Sequence, residues 1–169
     1  MPGRVITLEK LLLLRRRWRQ RGKRVAFTNG CFDLLHRGHI YTLRYAKSLA
    51  DVLVVGLNGD NSVRHLKGPG RPILPTQERA EILAALAMVD YVVLFDEPTA
   101  VALVAALEPD VYVKGGDYAE GSEAKPLPEA EVINRYGGQV VLAPLAPDSS
   151  TTNIIETVLE RYGAPSQAH

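Results

Sequence analysis

Cysteine is almost missing from this 169-residue chain: Cys31 stands alone. That excludes an intramolecular disulfide and fits a reducing compartment. Long apolar runs are missing as well. Residues 11–14 form a short leucine stretch that ends at Arg15, Arg16 and Arg17, far below the roughly 20 apolar residues needed to cross a bilayer. No secretory signal, internal repeat or low-complexity tract is visible, so a cytoplasmic protein is expected.

Net charge is also small, at +1, but it is unevenly placed. Residues 1–24 hold nine basic side chains against Glu9 alone, and the rest of the chain is correspondingly acidic. A basic arm can mark contact with nucleic acid or a membrane surface. Leu8, Leu11, Leu12 and Trp18 favour a different reading, an amphipathic helix that packs one face and leaves its arginines solvated. Such a helix could also sit at a subunit contact. Neither nucleic acid nor membrane is the expected partner.

What is present is an ordinary folded composition, 46% hydrophobic and 23% charged, of a length suited to one domain with a real core. The organisation expected is a basic helical arm over 1–23, a core over 24–163 and a disordered tail over 164–169. Strand patterns fall at 24–28, 52–57, 91–95, 111–113 and 139–143. Helical patterns fall at 38–50, 76–87, 99–107, 128–136 and 152–162. The strands are mostly continuous apolar runs, such as Val52-Leu53-Val54-Val55, as when helices cover both faces of a parallel sheet. The fold expected is therefore α/β, a doubly wound Rossmann-like sheet of five parallel strands with an N-terminal helix.

Ligands of such sheets bind beyond the carboxyl ends of the strands, and the unusual chemistry lies there. After the first strand comes Thr28-Asn29-Gly30-Cys31-Phe32-Asp33-Leu34-Leu35-His36-Arg37-Gly38-His39. Strand, glycine-containing loop and helix start present backbone N–H groups to an anion, and two imidazoles add further donors. Two histidines alone do not make a zinc site. Cys31 reads as a small residue packed near ligand rather than a nucleophile. The loop 58–72 carries Asp60, Lys67 and Arg71 among glycines, suited to closing on phosphates or to an exposed turn. Arg79 either points back to those phosphates or pairs with Glu78 or Glu81. Lys114-Gly115-Gly116-Asp117-Tyr118 offers ammonium, carboxylate and close backbone approach. Ser150, Thr151 and Thr152 open the last helix, as caps or as phosphate ligands.

The stretch G-x-F-D-x-x-H-x-G-H resembles the signature of the cytidylyltransferase-like nucleotidyltransferase superfamily. Further motifs narrow the likeness: Leu66-Lys67-Gly68-Pro69-Gly70-Arg71-Pro72-Ile73, Val113-Lys114-Gly115-Gly116-Asp117-Tyr118 and Ser150-Thr151-Thr152-Asn153-Ile154-Ile155. Together, over nearly the whole chain, they resemble the D-glycero-β-D-manno-heptose 1-phosphate adenylyltransferases. In many bacteria that domain is fused behind a ribokinase-like kinase. This chain has no room for a kinase and resembles the free-standing form.

The resemblance implies that ATP and a heptose 1-phosphate give ADP-heptose and pyrophosphate, with Mg²⁺, in a homodimer. It implies that His36 and His39 hold the α- and β-phosphates, with Lys67 as a third catalytic group. Thr28, Asn29, Gly30, Cys31, Phe32 and Gly38 would line the nucleotide. Lys114, Gly115 and Asp117 would meet base, ribose or acceptor. Asp60, Lys67, Arg71 and Arg79 would face phosphate or substrate. Ser150, Thr151 and Thr152 would hold the triphosphate tail. Asp33 is either a structural acceptor or a metal ligand.

Glycerol-3-phosphate cytidylyltransferases carry R-T-E-G-I-S-T-T where this chain has Leu145-Ala146-Pro147-Asp148-Ser149-Ser150-Thr151-Thr152. The missing arginine counts against that activity. Pantetheine-phosphate adenylyltransferase and the class I aminoacyl-tRNA synthetases share only the histidine signature. A related transferase with another acceptor or CTP, and a non-catalytic nucleotide-binding module, remain the alternatives.

Overall fold

The computed structural model describes residues 3–115, 127–144 and 150–163. The chain runs β1 (Arg4–Val5), α1 (Leu8–Gln20), β2 (Val25–Gly30), α2 (Arg37–Ser48), β3 (Val52–Asn58), α3 (Asp60–Lys67) and α4 (Thr76–Ala85). It continues with β4 (Tyr91–Phe95), α5 (Val101–Leu107), β5 (Val111–Lys114), α6 (Pro128–Arg135), β6 (Gln139–Leu142) and α7 (Thr151–Tyr162). All strand pairs are parallel, in the order β1-β4-β3-β2-β5-β6.

The sheet thus has six strands where five are expected. The extra one, β1, is two residues long, pairs Arg4 with Tyr91 and Val5 with Val92, and is too short to show a period. It makes the start of the expected arm part of the sheet. The tail over 164–169 lies outside the described residues.

Period-two alternation on strands buried on both faces divides the core into two layers. Ala26, Leu53, Val55, Leu57, Val92 and Val113 point to one side, where Leu43, Ala46, Ala80 and Leu83 of α2 and α4 cover them. Phe27, Val52, Val54, Val93, Phe95 and Tyr112 point to the other, beneath Leu11, Trp18, Leu103, Leu107 and Ile133. Gly56 lies in the middle of β3 because a Cβ there would sit 2.7 Å from the buried ring of Phe27.

α1 is capped by the Thr7 hydroxyl, which accepts from the Lys10 amide, and packs through Leu11, Arg15 and Trp18. Its arginines are not all solvated, which corrects the amphipathic reading. Arg15 is buried and donates to the Leu107 and Glu108 carbonyls at 3.1 and 2.7 Å, and also pairs with Asp110. Those carbonyls are orphans at the end of α5, where Glu108 takes a left-handed turn at φ 44°. Arg19 reaches the Glu108 carboxylate at 2.8 Å. Arginine supplies the donors that the end of α5 lacks.

Candidate active site

A cavity of about 580 Å³ opens at the carboxyl ends of the central strands, where an open α/β sheet binds its ligands. From β2 and the loop that follows it, Thr28, Asn29, Gly30, Cys31 and Phe32 line it. Phe32 is buried in a left-handed conformation (φ 45°), with its ring 5.2 Å from that of His39. Such a backbone costs a bulky residue about 1–3 kcal/mol, and it delivers the chain to the start of α2. The Cys31 thiol is pushed up by burial, partly offset by Lys67, Arg79 and Arg71, so it stays protonated at neutral pH.

His36 is the N-cap of α2. Its Nδ1 accepts the Gly38 amide at 3.1 Å, and His39 Nδ1 accepts the His36 amide at 3.4 Å. A neutral imidazole that accepts at Nδ1 carries its proton on Nε2. Burial, with His36 adding to it, lowers the pKa of His39 to about 4, and burial lowers that of His36 as well. The rings lie 3.9 Å apart and line the cavity with Gly38. At neutral pH the pair therefore offers two uncharged Nε2–H donors at the positive end of the α2 dipole.

Lys67 ends α3, a helix where the sequence reads as a loop. The Gly68-Pro69-Gly70 run that suggests a loop lies just past its end, with Gly68 at φ 95°. Lys67 and Arg71 line the cavity. Asp33 explains where Arg71 sits. Its buried carboxylate pairs with Arg71 Nε and accepts the Ile73 and Leu74 amides at 2.9 Å. Burial alone would raise its pKa, but the two amides and the guanidinium outweigh that and hold it below the usual range. In the structure Asp33 is therefore an acceptor for Arg71 and for the backbone of residues 73 and 74. Among the described residues no group of three or more His, Cys, Asp or Glu could hold a metal ion.

Two further expected site residues pair with each other. Arg79 is buried and does not line the cavity. Its Nη1 donates to the Cys31 and Asn58 carbonyls at 2.7 and 2.8 Å, its Nε to Leu74 O at 2.9 Å, and its Nη2 to Asp60 and Thr76. It joins neither phosphate-facing space nor Glu78 or Glu81. Asp60 is its ion-pair partner. The Thr76 hydroxyl and Arg79 hold the Asp60 carboxyl below its usual pKa against the opposing effect of burial. Arg79 therefore laces together the loops after β2 and β3 and the segment leading into α4.

From β5, Lys114 and Gly115 line the cavity, and Lys114 Nζ lies 3.4 Å from the Asn29 carbonyl. Asp117 lies outside the described residues. Ser150 caps α7 by accepting the Asn153 amide at 3.0 Å, and Thr151 donates to Leu34 O. Both line the cavity, as does Thr152. The sequence motifs omit Asn58, Thr42, Pro98, Thr99, Leu127 and Glu129, which also line it. Pro128-Glu129 has the look of an ordinary helix start, and Pro98-Thr99 that of an ordinary turn.

The family model described as cytidylyltransferase-like matches residues 27–157. The bifunctional protein HldE of Syntrophotalea carbinolica is 54% identical over 144 residues, 85% of this chain and 29% of that protein. The bifunctional protein HldE of Pelobacter propionicus is 56% identical over 143 residues, 84% of this chain and 28% of that one. The chain thus spans less than a third of the length of these relatives. A lipopolysaccharide core biosynthesis protein from Thermoplasma volcanium superposes with a TM-score of 0.58 at 30% identity, covering 76% of this chain and 100% of that one. A pantoate-β-alanine ligase from Francisella tularensis, at TM-score 0.60 and 15% identity over 90% of this chain and 73% of that one, shares the fold.

Proposed function

The chain belongs to the cytidylyltransferase-like family, and from that premise we propose that it joins ATP to D-glycero-β-D-manno-heptose 1-phosphate, giving ADP-heptose and pyrophosphate. One observation carries this reading: two neutral Nε2–H donors stand at a helix start inside a cavity that also receives Lys67, Arg71 and Lys114. Such a site handles phosphates. The heptose assignment draws its support from the motifs and from the likeness to proteins named HldE and to a lipopolysaccharide core biosynthesis protein.

In the proposed reaction an oxygen of the sugar phosphate attacks the α-phosphorus in line. The new P–O bond forms as the bond to the β-phosphate oxygen breaks, and pyrophosphate leaves with the electron pair. No protein nucleophile is required, so catalysis is positioning and charge stabilisation. His36 and His39 donate to the α- and β-phosphate oxygens as charge develops. Lys67 and Arg71 close on the phosphates. Ser150, Thr151 and Thr152 hold the tail of the triphosphate, while Thr28, Asn29, Gly30, Cys31 and Phe32 pack along the nucleotide. Lys114 and Gly115, which line the cavity, are proposed to meet base, ribose or acceptor, and the same role is proposed for Asp117.

The described residues do not fit a resident metal, because no acidic cluster faces the cavity and Asp33 is spent on its own loop. Mg²⁺ enters as the counter-ion of ATP, as part of the substrate. The protein is assigned to the cytoplasm, and no helix among the described residues is long and apolar enough to cross a membrane. A homodimer is the proposed assembly. It is supported by α7, which buries none of its residues and exposes Val158, Leu159 and Tyr162. Sedimentation at micromolar concentration tests it, and a monomer there would remove it.

The deciding experiment measures pyrophosphate release with Mg²⁺, pairing ATP or CTP with heptose 1-phosphate or glycerol 3-phosphate. Release confined to ATP with heptose 1-phosphate is expected. Release with CTP and glycerol 3-phosphate would keep the site and overturn the substrates. Silence in every pairing, with ATP still bound, would favour a non-catalytic nucleotide module.

A further inference from the structure

Pro98, Thr99, Leu127, Pro128 and Glu129 form a part of the cavity wall that no sequence motif marks. Glu129, the second residue of α6, is 4% exposed. Its Oε1 accepts the Ala100 amide at 2.8 Å and so caps the start of α5. Its Oε2 makes no hydrogen bond to a described residue, yet it is not among the sealed, partnerless atoms. Glu129 itself is part of the cavity lining.

The surroundings narrow what it can meet. Of the carboxylates lining the cavity among the described residues, Asp33 is committed to Arg71 and two amides, which leaves Glu129 as the one with an oxygen to spare. A carboxylate repels phosphate and accepts O–H. Mg²⁺ is a poor fit, since it sheds water reluctantly and the neighbours are two prolines, a leucine and a threonine. A buried carboxylate oxygen without a partner is costly, and a ligand donor removes that cost. A phosphorylated sugar carries both halves of the match: phosphate for the histidines and cations, hydroxyl for Glu129.

We propose that Glu129 Oε2 accepts a hydrogen bond from a sugar hydroxyl of a bound substrate, making Glu129 a specificity-determining residue. This rests on the nucleotidyltransferase reading of the cavity. The hydroxyl belongs either to the ribose of the nucleotide or to the ring of the acceptor sugar 1-phosphate, and the test separates the two.

The variant is Glu129→Gln, whose amide oxygen can keep the cap on Ala100 while an NH₂ replaces the acceptor. Steady-state kinetics would vary ATP and heptose 1-phosphate separately, with calorimetric ATP binding and thermal melting alongside. A hydrogen bond to a charged group is worth about 10- to 100-fold, so KM for one substrate should rise by that factor. The KM for the other substrate, kcat and the melting temperature should stay within a few-fold or a few degrees of the parent. Substrate analogues give a second measurement, first on the unmodified protein. Either 2′- or 3′-deoxy-ATP, or a ring-deoxy sugar 1-phosphate, should lose a similar factor against it and lose little more against Glu129→Gln.

Unchanged KM values for both substrates, full affinity for every deoxy analogue, or recovery of the variant at raised Mg²⁺ would each overturn the proposal. If the unmodified protein turns over and the variant matches it, only the Glu129 proposal fails. If the unmodified protein neither turns over nor binds ATP, the reading beneath it fails and takes the proposal with it.

Discussion

At position 39, a neutral imidazole ties stability to pH. In the unfolded chain this histidine titrates near its ordinary 6.5, whereas in the fold its pKa is about 4. The unfolded state therefore binds more protons between those values, and stability falls as pH drops from about 6.5 toward 4, by at most about 3 kcal/mol. Above pH 6.5 the contribution is complete. Denaturant titrations at pH 7 and 4.5 should show this loss, and His39→Gln should show a smaller one; identical losses would mean the acid sensitivity lies elsewhere. For catalysis, His36→Ala or His39→Ala should lower kcat by about 10²-fold, the scale of losing one donor to a developing oxyanion. Near-normal turnover in both would remove the proposed roles. The two histidines were legible because sequence neighbours make their site: the caps that fix their tautomers come from Gly38 and His36 itself.

At the scale of elements, the guanidinium of Arg79 is where local reading ran out. Its neighbours in sequence suggest Glu78 and Glu81 as partners, but the groups it meets come from Cys31, Asn58, Asp60 and Leu74. Long-range lacing leaves no local pattern. Asp33 was read as a structural acceptor or a metal ligand, but its partners, at 71, 73 and 74, left no local pattern either. α3 was obscured by the glycines that follow it, and Glu129 by resembling any acidic residue at a helix start. Arg79→Met leaves a cluster of carbonyls and Asp60 without their donor and should destabilise the fold by about 3–5 kcal/mol, as when one partner of a buried ion pair is removed. Urea unfolding measures this directly. A change below about 1 kcal/mol would mean that the loops hold themselves in place.

Across the whole molecule, alternating strand and helix patterns were enough to give the layers and the end of the sheet that carries the cavity. Five of the six strands were visible, because each carries a run of apolar residues, largely buried on both faces in the inner strands, although the edge strand β6 is partly exposed. β1 was not visible, and its position has a consequence for how the protein behaves in solution. Its two residues lie along β4, a strand made of Tyr91-Val92-Val93-Leu94-Phe95. Gly3 anchors them by donating to Ala84 O at 2.7 Å, at a point where a Cβ would lie 2.5 Å from Val89 O. Residues 3–5 thus shield a strand of strong β-formers whose bare edge would recruit strands from other molecules. A chain shortened to begin at Thr7 should scatter light on mild heating at concentrations where the full chain stays clear. Equal clarity in both would show that α1 alone protects that edge. On this argument residues 3–5, outside the cavity lining, have the task of keeping the β4 edge from aggregation.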